Sequence, residues 1–458
     1  MKRKLSIIIC VALLAALGGL KIGFSVHQAI TIGVFLMSLL GIIFFWDLRL
    51  SFVFLGAGIL LITRSVDLEN LIKFASLDVI LFLIGMMILV GMMNEAGLIM
   101  WIITKLLTVK KITGRKLFVL IMLVSATCTG LMDEVTSIII MTKIILTICD
   151  FFEINPVPLL ISSVLATNIG SASTVLGNPI GVLIAARGNL TFEDFLTQAL
   201  PITIVVLLVT ICFLLFWFRK YIAQLNEKLV SLGENKFFLS LISIPADRKV
   251  RISIFIFSLT LLSIALHRRI ELLFGLEENT LLLMLPIIAA GIVLVYRRDK
   301  VRYYVEHEIE WFSLLFFLFL FALAGVIKYS GISDIFANKL VATIGTNQNL
   351  FSAIMLYSSG ILSGVLDNTV VVATYVPIVQ SLGSLDIPLR TLWWAILFGA
   401  CYGGNITMIG STANVVALDI LEKTENKKIN FFEWMKLGLI VGIISMTIAY
   451  AFLFLFFK

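Results

Sequence analysis

Residues 131–136 read LMDEVT, and residues 365–370, which lie 234 positions later, read VLDNTV. A second pair of stretches has nearly the same separation: TVLG at residues 174–177 and TMIG at residues 407–410. The first pair places an aspartate at the same repeated position in two apolar segments. A duplication of this kind indicates two structural repeats that build one shared site at their interface.

The composition is that of a protein that crosses a membrane many times. Of the 458 residues, 60% are hydrophobic and only 14% are charged, and the mean hydropathy is +1.08. The apolar stretches are too numerous for a single globular core. An ionised group at the centre of a membrane helix costs about 2.5 to 3.5 kcal/mol, and the charges of this chain lie mainly between the apolar runs. We therefore expect an all-α polytopic membrane protein rather than a β-barrel.

Apolar windows predict about eleven membrane-spanning helices. They lie at residues 5–20, 29–45, 51–63, 77–93, 158–186, 202–218, 252–266, 281–296, 311–327, 392–417 and 434–457. Two further apolar segments, 117–149 and 351–385, are interrupted near their middles by the acidic stretches described above. We interpret both segments as re-entrant hairpins, with Asp133 and Asp367 at their tips.

The distribution of Lys and Arg sets the expected orientation. If each hairpin returns to its side of entry, one face of the membrane receives about 24 of the 35 Lys and Arg residues, and we take this face as cytoplasmic. The N-terminus then lies in the cytoplasm, and the net charge of +7 follows from topology rather than from nucleic-acid binding. We expect an integral protein of the cell membrane that keeps its first apolar segment, because residues 16–18 are a poor cleavage site.

The repeat offset divides the chain. Four segments follow: residues 1–27 as an extra N-terminal transmembrane helix, 28–218 as repeat 1, 219–251 as a cytoplasmic linker with a short amphipathic helix, and 252–458 as repeat 2. By the count above, the span at 77–93 and its partner at 311–327 are five crossings apart. Because this number is odd, the two repeats are expected to be inverted relative to each other, with one hairpin entering from each side.

One span in each repeat is expected to be broken, at 158–186 and at 392–417. Both contain several glycines among Asn, Ser and Thr residues, and the first also contains Pro179. Proline removes a backbone donor and glycine costs up to about 1 kcal/mol in a helix, so we expect unwinding near the midplane, with a kinked helix as the alternative. Unwound segments offer carbonyls to cations and helix N-termini to anions. The side chains expected to line the solute cavity are Asn168, Ser171, Thr174 and Asn178 in repeat 1 and Asn405, Thr407, Ser411 and Asn414 in repeat 2.

The hairpin tips carry ionisable groups at membrane depth, where such groups usually have a function. We expect Asp133 and Asp367 to bind a proton or a cation, with three neighbours orienting them: Thr136, Asn368 and Thr369. Glu134 is a further candidate, although repeat 2 has Asn368 in its place. The alternative is a set of buried acids that neighbouring groups satisfy without any part in transport. We expect no cofactor, and no metal beyond Na⁺ at the same residues, because the three histidines have no metal-ligand spacing.

These stretches resemble motifs of the ion transporter superfamily. Residues 131–136 are similar to a Leu-Asp-Asn-Val-Thr hairpin motif, and residues 366–369 to Leu-Asp-Asn-Ile-Pro. Residues 168–179 resemble Asn-Ile-Gly-Gly-x-Ala-Thr-x-Ile-Gly-Asp-Pro-Pro, and residues 403–416, GGNITMIGSTANVV, follow Gly-Gly-Asn-Gly-Thr-Leu-Ile-Gly-Ala-Ser-Ala-Asn-Val-Val closely. The similar branch contains arsenite efflux permeases, bacterial sodium/proton antiporters, plant silicon effluxers and the melanosomal P protein.

The resemblance implies an elevator mechanism, in which the hairpins and broken helices slide against the remaining spans, usually within a homodimer. Two positions depart from the branch. Glu134 stands where the branch has Asn, and Asn178 stands where it has Asp. These changes move a carboxylate from the broken helix to the hairpin tip, so the solute does not follow by analogy.

The expected function is secondary active transport of a small inorganic or organic ion or a weak-acid solute across the bilayer. No ATP-binding loop or enzyme motif is present, so uphill transport would use a proton or sodium gradient. Asp133 and Asp367 would repel a dianion, since two unit charges about 5 Å apart interact by roughly 3 kcal/mol at an effective dielectric of about 20. This favours arsenite or inorganic oxyacid efflux, or sodium/proton antiport. The alternatives are a sodium- or proton-coupled citrate-like di- or tricarboxylate transporter and an anion channel of the same fold.

Overall fold

The computed structural model describes residues 2–97, 113–231, 248–385 and 387–456. Over these ranges the chain is helical and contains no β-strand. The helices of the first half are α1 Lys2–Lys21, α2 Val26–Phe44, α3 Arg49–Ile62, α4 Leu68–Phe74, α5 Leu77–Glu95, α6 Gly114–Leu131, α7 Glu134–Phe152, α8 Val157–Gly170, α9 Pro179–Gly188, α10 Phe192–Trp217 and α11 Arg219–Ser231. Those of the second half are α12 Arg248–Ala265, α13 His267–Phe274, α14 Thr280–Tyr296, α15 Trp311–Tyr329, α16 Ile332–Ile344, α17 Gln348–Ser363, α18 Asn368–Gly383, α19 Arg390–Gly403, α20 Thr412–Glu425 and α21 Phe431–Phe456.

Many of these helices could cross a bilayer. By length and composition, eight helices of the described residues qualify, and the pair α12 and α13, bent by 64°, would make a ninth. The predicted eleven include shorter helices, such as α3 and α14, and the two broken spans. The number of crossings and their orientation therefore stay predictions. In the predicted linker, α11 occupies the start, and residues 232–247 lie outside the described residues.

Both candidate broken spans are interrupted in the structure. In broken helix 1, α8 ends at Gly170 and α9 begins at Pro179, with Asn178 as the cap: its Oδ1 accepts from the N–H of Gly181 at 2.8 Å. In broken helix 2, α19 ends at Gly403 and α20 begins after the cap Ser411. Proline at a first helical position and Asn or Ser at the cap are the residues that start a new helix.

Each hairpin is a pair of helices joined by a few residues at an aspartate. Hairpin 1 consists of α6 and α7, and hairpin 2 consists of α17 and α18. Hairpin helix α6 packs on α8, and α17 packs on α19. These approaches are close, because a Cβ added at Gly170 would meet the Ala126 backbone at 2.4 Å and one at Gly403 would meet the Gly360 backbone at 2.2 Å. The hairpins and broken helices thus form one packed unit, which we call the core group.

A second set of helices lies beside the core group. Helices α2 and α3 pack together, α5 packs on α14, and both α3 and α4 pack on α15. We call α2–α5, α14 and α15 the scaffold group. It touches the core group mainly where α15 meets α18 and where α5 meets α9. A cavity lies between the two groups at the hairpin tips.

Candidate solute and ion site

Asp133 sits at the tip of hairpin 1 and caps the helix that follows it. Its Oδ1 accepts hydrogen bonds from the N–H groups of Val135 at 2.9 Å and Thr136 at 3.0 Å. A carboxylate at this position satisfies backbone donors that a helix start leaves free, and it is stabilised by the positive end of the helix dipole. The side chain is only partly buried and lines the cavity between the two groups.

Asp367 occupies the same position in hairpin 2 but has more partners. Its Oδ1 accepts from the N–H of Thr369 at 2.9 Å, while Oδ2 accepts from the N–H of Thr412 at 3.1 Å and from its hydroxyl at 2.7 Å. One carboxylate therefore caps α18 and also joins hairpin 2 to the start of α20. In repeat 1 the position that corresponds to Thr412, 233 residues earlier, is Pro179, which has neither an N–H nor a hydroxyl.

Glu134 and Asn368 occupy corresponding positions in the two repeats, and they contact each other. The amide Nδ2 of Asn368 donates to both carboxylate oxygens of Glu134, at 3.2 and 3.3 Å. Both side chains are buried. Residues related by a twofold repeat can touch each other only close to the axis that relates the repeats. The two hairpin tips therefore touch each other, and their place at an interface between inverted repeats stays a prediction.

Three asparagines of the broken helices form a hydrogen-bonded network. The Nδ2 of Asn168 donates to Asn405 and Asn414 Oδ1 at 2.8 Å each. The Nδ2 of Asn414 in turn donates to the carbonyls of Gly404 and Thr407 at 2.8 and 2.9 Å. All three asparagines are fully buried. Their amides thus satisfy unwound backbone and hold the two broken helices against each other, because a buried carbonyl without a partner is costly.

The other predicted polar residues mostly satisfy the chain itself. Thr174 donates to the carbonyl of Gly130 and Thr407 donates to that of Gly364, each at 2.5 Å, which ties broken helix to hairpin in the same way in both repeats. Asn178 donates to Ser171 Oγ at 3.0 Å and to the sulfur of Cys401 at 3.1 Å. Ser411 Oγ caps α20.

The cavity at the hairpin tips contains only part of the predicted set. Its volume is about 60 Å³. The predicted residues that line it are Asp133, Glu134, Asn178, Asp367 and Thr369. Those that do not are Thr136, Asn168, Ser171, Thr174, Asn368, Asn405, Thr407, Ser411 and Asn414. Most of the predicted broken-helix residues thus support the site rather than line it.

Comparison with known proteins identifies the family. A family model described as citrate transporter, CitMHS, matches residues 39–399 and 334–458. The chain belongs to the citrate transporter family. A protein named an uncharacterized transporter from Mycobacterium tuberculosis is 30% identical over 394 residues, which cover 82% of this chain and 86% of that protein. The 46 kDa membrane protein of Mycobacterium leprae is 31% identical over 386 residues, with the same two shares.

More distant relatives agree with this assignment. The human P protein is 25% identical over an alignment of 479 positions, which covers 87% of this chain and 55% of that protein. Among solved structures, the YdaH transporter of Alcanivorax borkumensis matches with a TM-score of 0.55 at 14% identity, covering 84% of this chain and 86% of that chain. The predicted resemblance to the ion transporter superfamily and the predicted all-α membrane fold are thereby confirmed.

The scaffold wall of the cavity holds residues that the sequence analysis of this transporter missed. These are Trp46, Arg49, Glu310, Ser313, Phe316, Phe317 and an apolar stripe of α5. Arg49 directly precedes a predicted span, where Lys and Arg usually indicate the orientation of the protein in the membrane. One available signal was the stretch WDLR at residues 46–49, where a tryptophan precedes an arginine at the start of an apolar helix.

Proposed function

We propose that this protein is a secondary active transporter that moves a small ion or weak-acid solute and couples that movement to a proton or sodium gradient. The observation that carries the proposal is the contact between Glu134 and Asn368, made across the two repeats beside a cavity that Asp133 and Asp367 also line. Ion-coupled carriers typically place carboxylates and unwound backbone where two repeats meet. Membership in a transporter family supports the same reading.

We assign the coupling cation to the carboxylates of repeat 1. The Asp367 carboxylate is stabilised by three donors and two helix N-termini, so its negative charge is largely compensated. Glu134 accepts from a neutral amide and is repelled electrostatically by Asp367 and Asp133. Close carboxylates in a desolvated region favour the uptake of a proton or of Na⁺, which lowers their mutual repulsion. Asp133 and Glu134 are therefore the proposed cation ligands.

The elevator mechanism is part of this proposal. Alternating access requires two units that change their relative position around one site, and the cavity lies between the core group and the scaffold group. A second crevice between the same two groups is lined by Asp78, Arg187, Lys328 and Gln380, among others. Movement of the core group would close one crevice and widen the other. Two copies of the chain would share the scaffold face in the proposed homodimer.

Two classes of solute are proposed, with the preferred class first. The sequence alone ranks arsenite-like weak acids and cations first, since Asp133 and Asp367 without bound protons or cations would repel a dianion. The hydrogen bonds of Asp367 weaken that argument, because its charge is already compensated by Thr369 and Thr412. A sodium- or proton-coupled di- or tricarboxylate carrier is therefore the second candidate, and the description of the family model agrees with it.

Flux measurements in proteoliposomes test the coupling. Protein would be reconstituted under imposed Na⁺ or H⁺ gradients, with citrate, arsenite and sodium as probes. Glu134→Gln is expected to lower gradient-driven flux by about tenfold or more, because losing 1.4 kcal/mol of cation binding already gives a factor of ten. Asp419→Asn is the matched control, since Asp419 is an exposed acid on α20 that pairs with Lys423.

Two results would contradict the proposal. In the first, Glu134→Gln keeps the full dependence of flux on both gradients. In the second, the wild-type flux follows only the gradient of the solute itself, which would indicate a channel. A retained response in Asp419→Asn shows that the loss in Glu134→Gln comes from the site and not from a general change in surface charge.

A further inference from the structure

Arg49 is the first residue of α3, and its guanidinium group lies within a cage of aromatic rings on the scaffold side of the cavity. The guanidinium carbon is 4.3 Å from the centre of the Trp46 ring, 4.7 Å from Phe312 and 5.5 Å from Phe316. Rings at such distances attract a cation through their negative faces. They also restrict the position of a long and otherwise mobile side chain.

The described residues leave the hydrogen-bonding capacity of Arg49 unused. Within the part of the chain that the structure describes, its guanidinium group forms no ion pair and no hydrogen bond. Its charge interacts at longer range with Asp367, Glu310 and Asp47. A guanidinium group carries five N–H donors in a planar fork. The three rings supply no oxygen or nitrogen acceptor for these donors.

The surroundings of Arg49 suit an anion once a cation is present. The N-termini of α7, α9, α18 and α20 all border the cavity, and helix N-termini favour negative charge. The carboxylates that line the cavity together with Arg49 are Asp133, Glu134 and Asp367 on the core group and Glu310 on the scaffold, and the charge of Asp47 also acts on Arg49. A proton or Na⁺ bound at Glu134 and Asp133 would lower the negative charge of that wall. With that charge lowered, the Arg49 guanidinium and the helix N-termini are the groups that can attract an anion between the two walls.

We propose that Arg49 binds the anionic oxygen group of the transported solute, a carboxylate or an inorganic oxyanion. This inference rests on the second candidate of the proposed function, an anionic solute, and names the scaffold residue that recognises its charge. The fork of arginine matches two oxygens of such a group and binds them with two parallel hydrogen bonds. Because Arg49 belongs to the scaffold, the contact forms only while the core group occupies the position described here. Arg49 thus recognises the solute on one side of the transport cycle.

A purely structural role for Arg49 gives a different expectation. If the arginine only fills the space between Trp46, Phe312 and Phe316, its loss would weaken the binding of charged and uncharged solutes alike. If it binds the anionic group, only charged solutes would be affected. Arsenite is uncharged at pH 7, so it provides the comparison with citrate and phosphate.

Isothermal titration calorimetry on the purified full-length protein in detergent, at pH 7 with Na⁺ present, separates these cases. The probes are citrate, inorganic phosphate and arsenite, and the variants are Arg49→Gln and Arg49→Lys. Arg49→Gln is expected to weaken binding of the anion that the wild type binds by about tenfold or more, because the variant loses the positive charge and the two parallel hydrogen bonds. The affinity of Arg49→Lys for the anion should lie between those of the wild type and Arg49→Gln, because lysine keeps the positive charge but lacks the planar fork of donors.

Arg302→Gln serves as the control, because Arg302 is exposed and pairs with Glu306. The inference is overturned if the wild type binds neither citrate nor phosphate, or if Arg49→Gln binds the anion with the affinity of the wild type. It is also overturned if Arg49→Gln loses as much affinity for arsenite as for the anion. Citrate binding alone identifies a carboxylate solute, and phosphate binding alone identifies an inorganic oxyanion. Since this binding needs no gradient, failure here is distinct from a failure of coupling in the Glu134→Gln flux assay.

Discussion

The two hairpin tips have the same aspartate and use it differently. Asp367 accepts three hydrogen bonds and joins α18 to α20, whereas Asp133 accepts two from its own helix. The difference follows from one position, since Thr412 supplies two donors where Pro179 supplies none. Both aspartates line the cavity, but the chain bonds to both carboxylate oxygens of Asp367, whereas the N–H groups that Asp133 caps bond only to its Oδ1.

The residues that follow the two aspartates also differ between the hairpins. Glu134 adds a second carboxylate to the tip of hairpin 1, while Asn368 adds an amide to the tip of hairpin 2 and donates to Glu134. Duplicated sequence therefore does not mean duplicated chemistry. Repeat 1 supplies the acids that we propose bind the cation, and repeat 2 supplies the caps and the amide that hold them in place.

The largest expected effect is on stability. Asp367→Ala should lower the free energy of unfolding by about 3 kcal/mol, because it leaves donors of two helices without a partner, whereas Asp133→Ala should cost about 1 kcal/mol as an ordinary cap loss. Thermal unfolding of both variants in detergent measures the difference. Asp419→Ala, an exposed acid, is the control and should change little. Equal losses for the two aspartates would show that the tips are equivalent after all.

The second prediction exchanges the charged and neutral members of the tip pair. Glu134→Asn alone should reduce gradient-driven flux by about tenfold or more and leave the Asn368 amide without its acceptor. Adding Asn368→Glu restores a carboxylate and an amide in contact, on exchanged repeats. We expect the double variant to recover stability and part of the flux, measured by unfolding and in proteoliposomes. No recovery of either property would mean that the contact across the repeats does not couple the two residues.

The sequence predicts the parts of this site that depend on local composition. The breaks at Gly170 and Gly403 follow from glycine, proline and polar residues inside apolar spans, and the hairpin tips follow from acids at membrane depth. These features need only the neighbouring residues, so they can be recognised before any packing is known.

The parts that depend on packing between repeats could not be predicted. Asn168, Asn405 and Asn414 were expected to face the solute, but they bond to one another and to unwound backbone. The partner of each amide depends on how the repeats pack against each other, and the local sequence does not determine that packing. Arg49 was missed for a related reason, since a charge at a span end usually reports topology.

The third prediction makes Asp133 resemble Asp367. Pro179→Thr would give Asp133 the hydroxyl and N–H donors that Thr412 gives Asp367. We expect the affinity for the coupling cation to fall by about three- to tenfold, because an added hydrogen bond of roughly 0.5 to 1.5 kcal/mol competes with the cation for the carboxylate. The Na⁺ or H⁺ dependence of flux measures it, with Thr412→Val as the converse change in repeat 2. Unchanged cation dependence in Pro179→Thr would remove Asp133 from the proposed cation site.

The smallest expected effect concerns a link between the end of α9 and the loop before α14. Asn189, which follows α9, donates to Glu278 in the loop before α14, whereas the corresponding residue of repeat 2, Glu422, pairs with Lys428 nearby. Hydrogen bonds from Asn189 and Arg268 hold the pKa of Glu278 below its ordinary value of 4.5. Because this pKa is lower in the folded protein, the stabilisation is present above pH 4.5 and is lost as the pH falls through the lowered value.

Glu278→Gln should therefore slightly lower the free energy of unfolding at pH 7. As the pH falls, the variant should then lose slightly less stability than the wild type. The effect is small because the ion pair with Arg268 is exposed to solvent. Unfolding midpoints of the variant and the wild type between pH 3 and pH 7 measure it, and Glu422→Gln is the matched change in repeat 2. If both variants change the pH dependence equally, the link from repeat 1 to the loop before α14 adds nothing beyond an ordinary surface charge. A larger effect of Glu278→Gln would show that this loop helps to hold the end of α9 in the position described here.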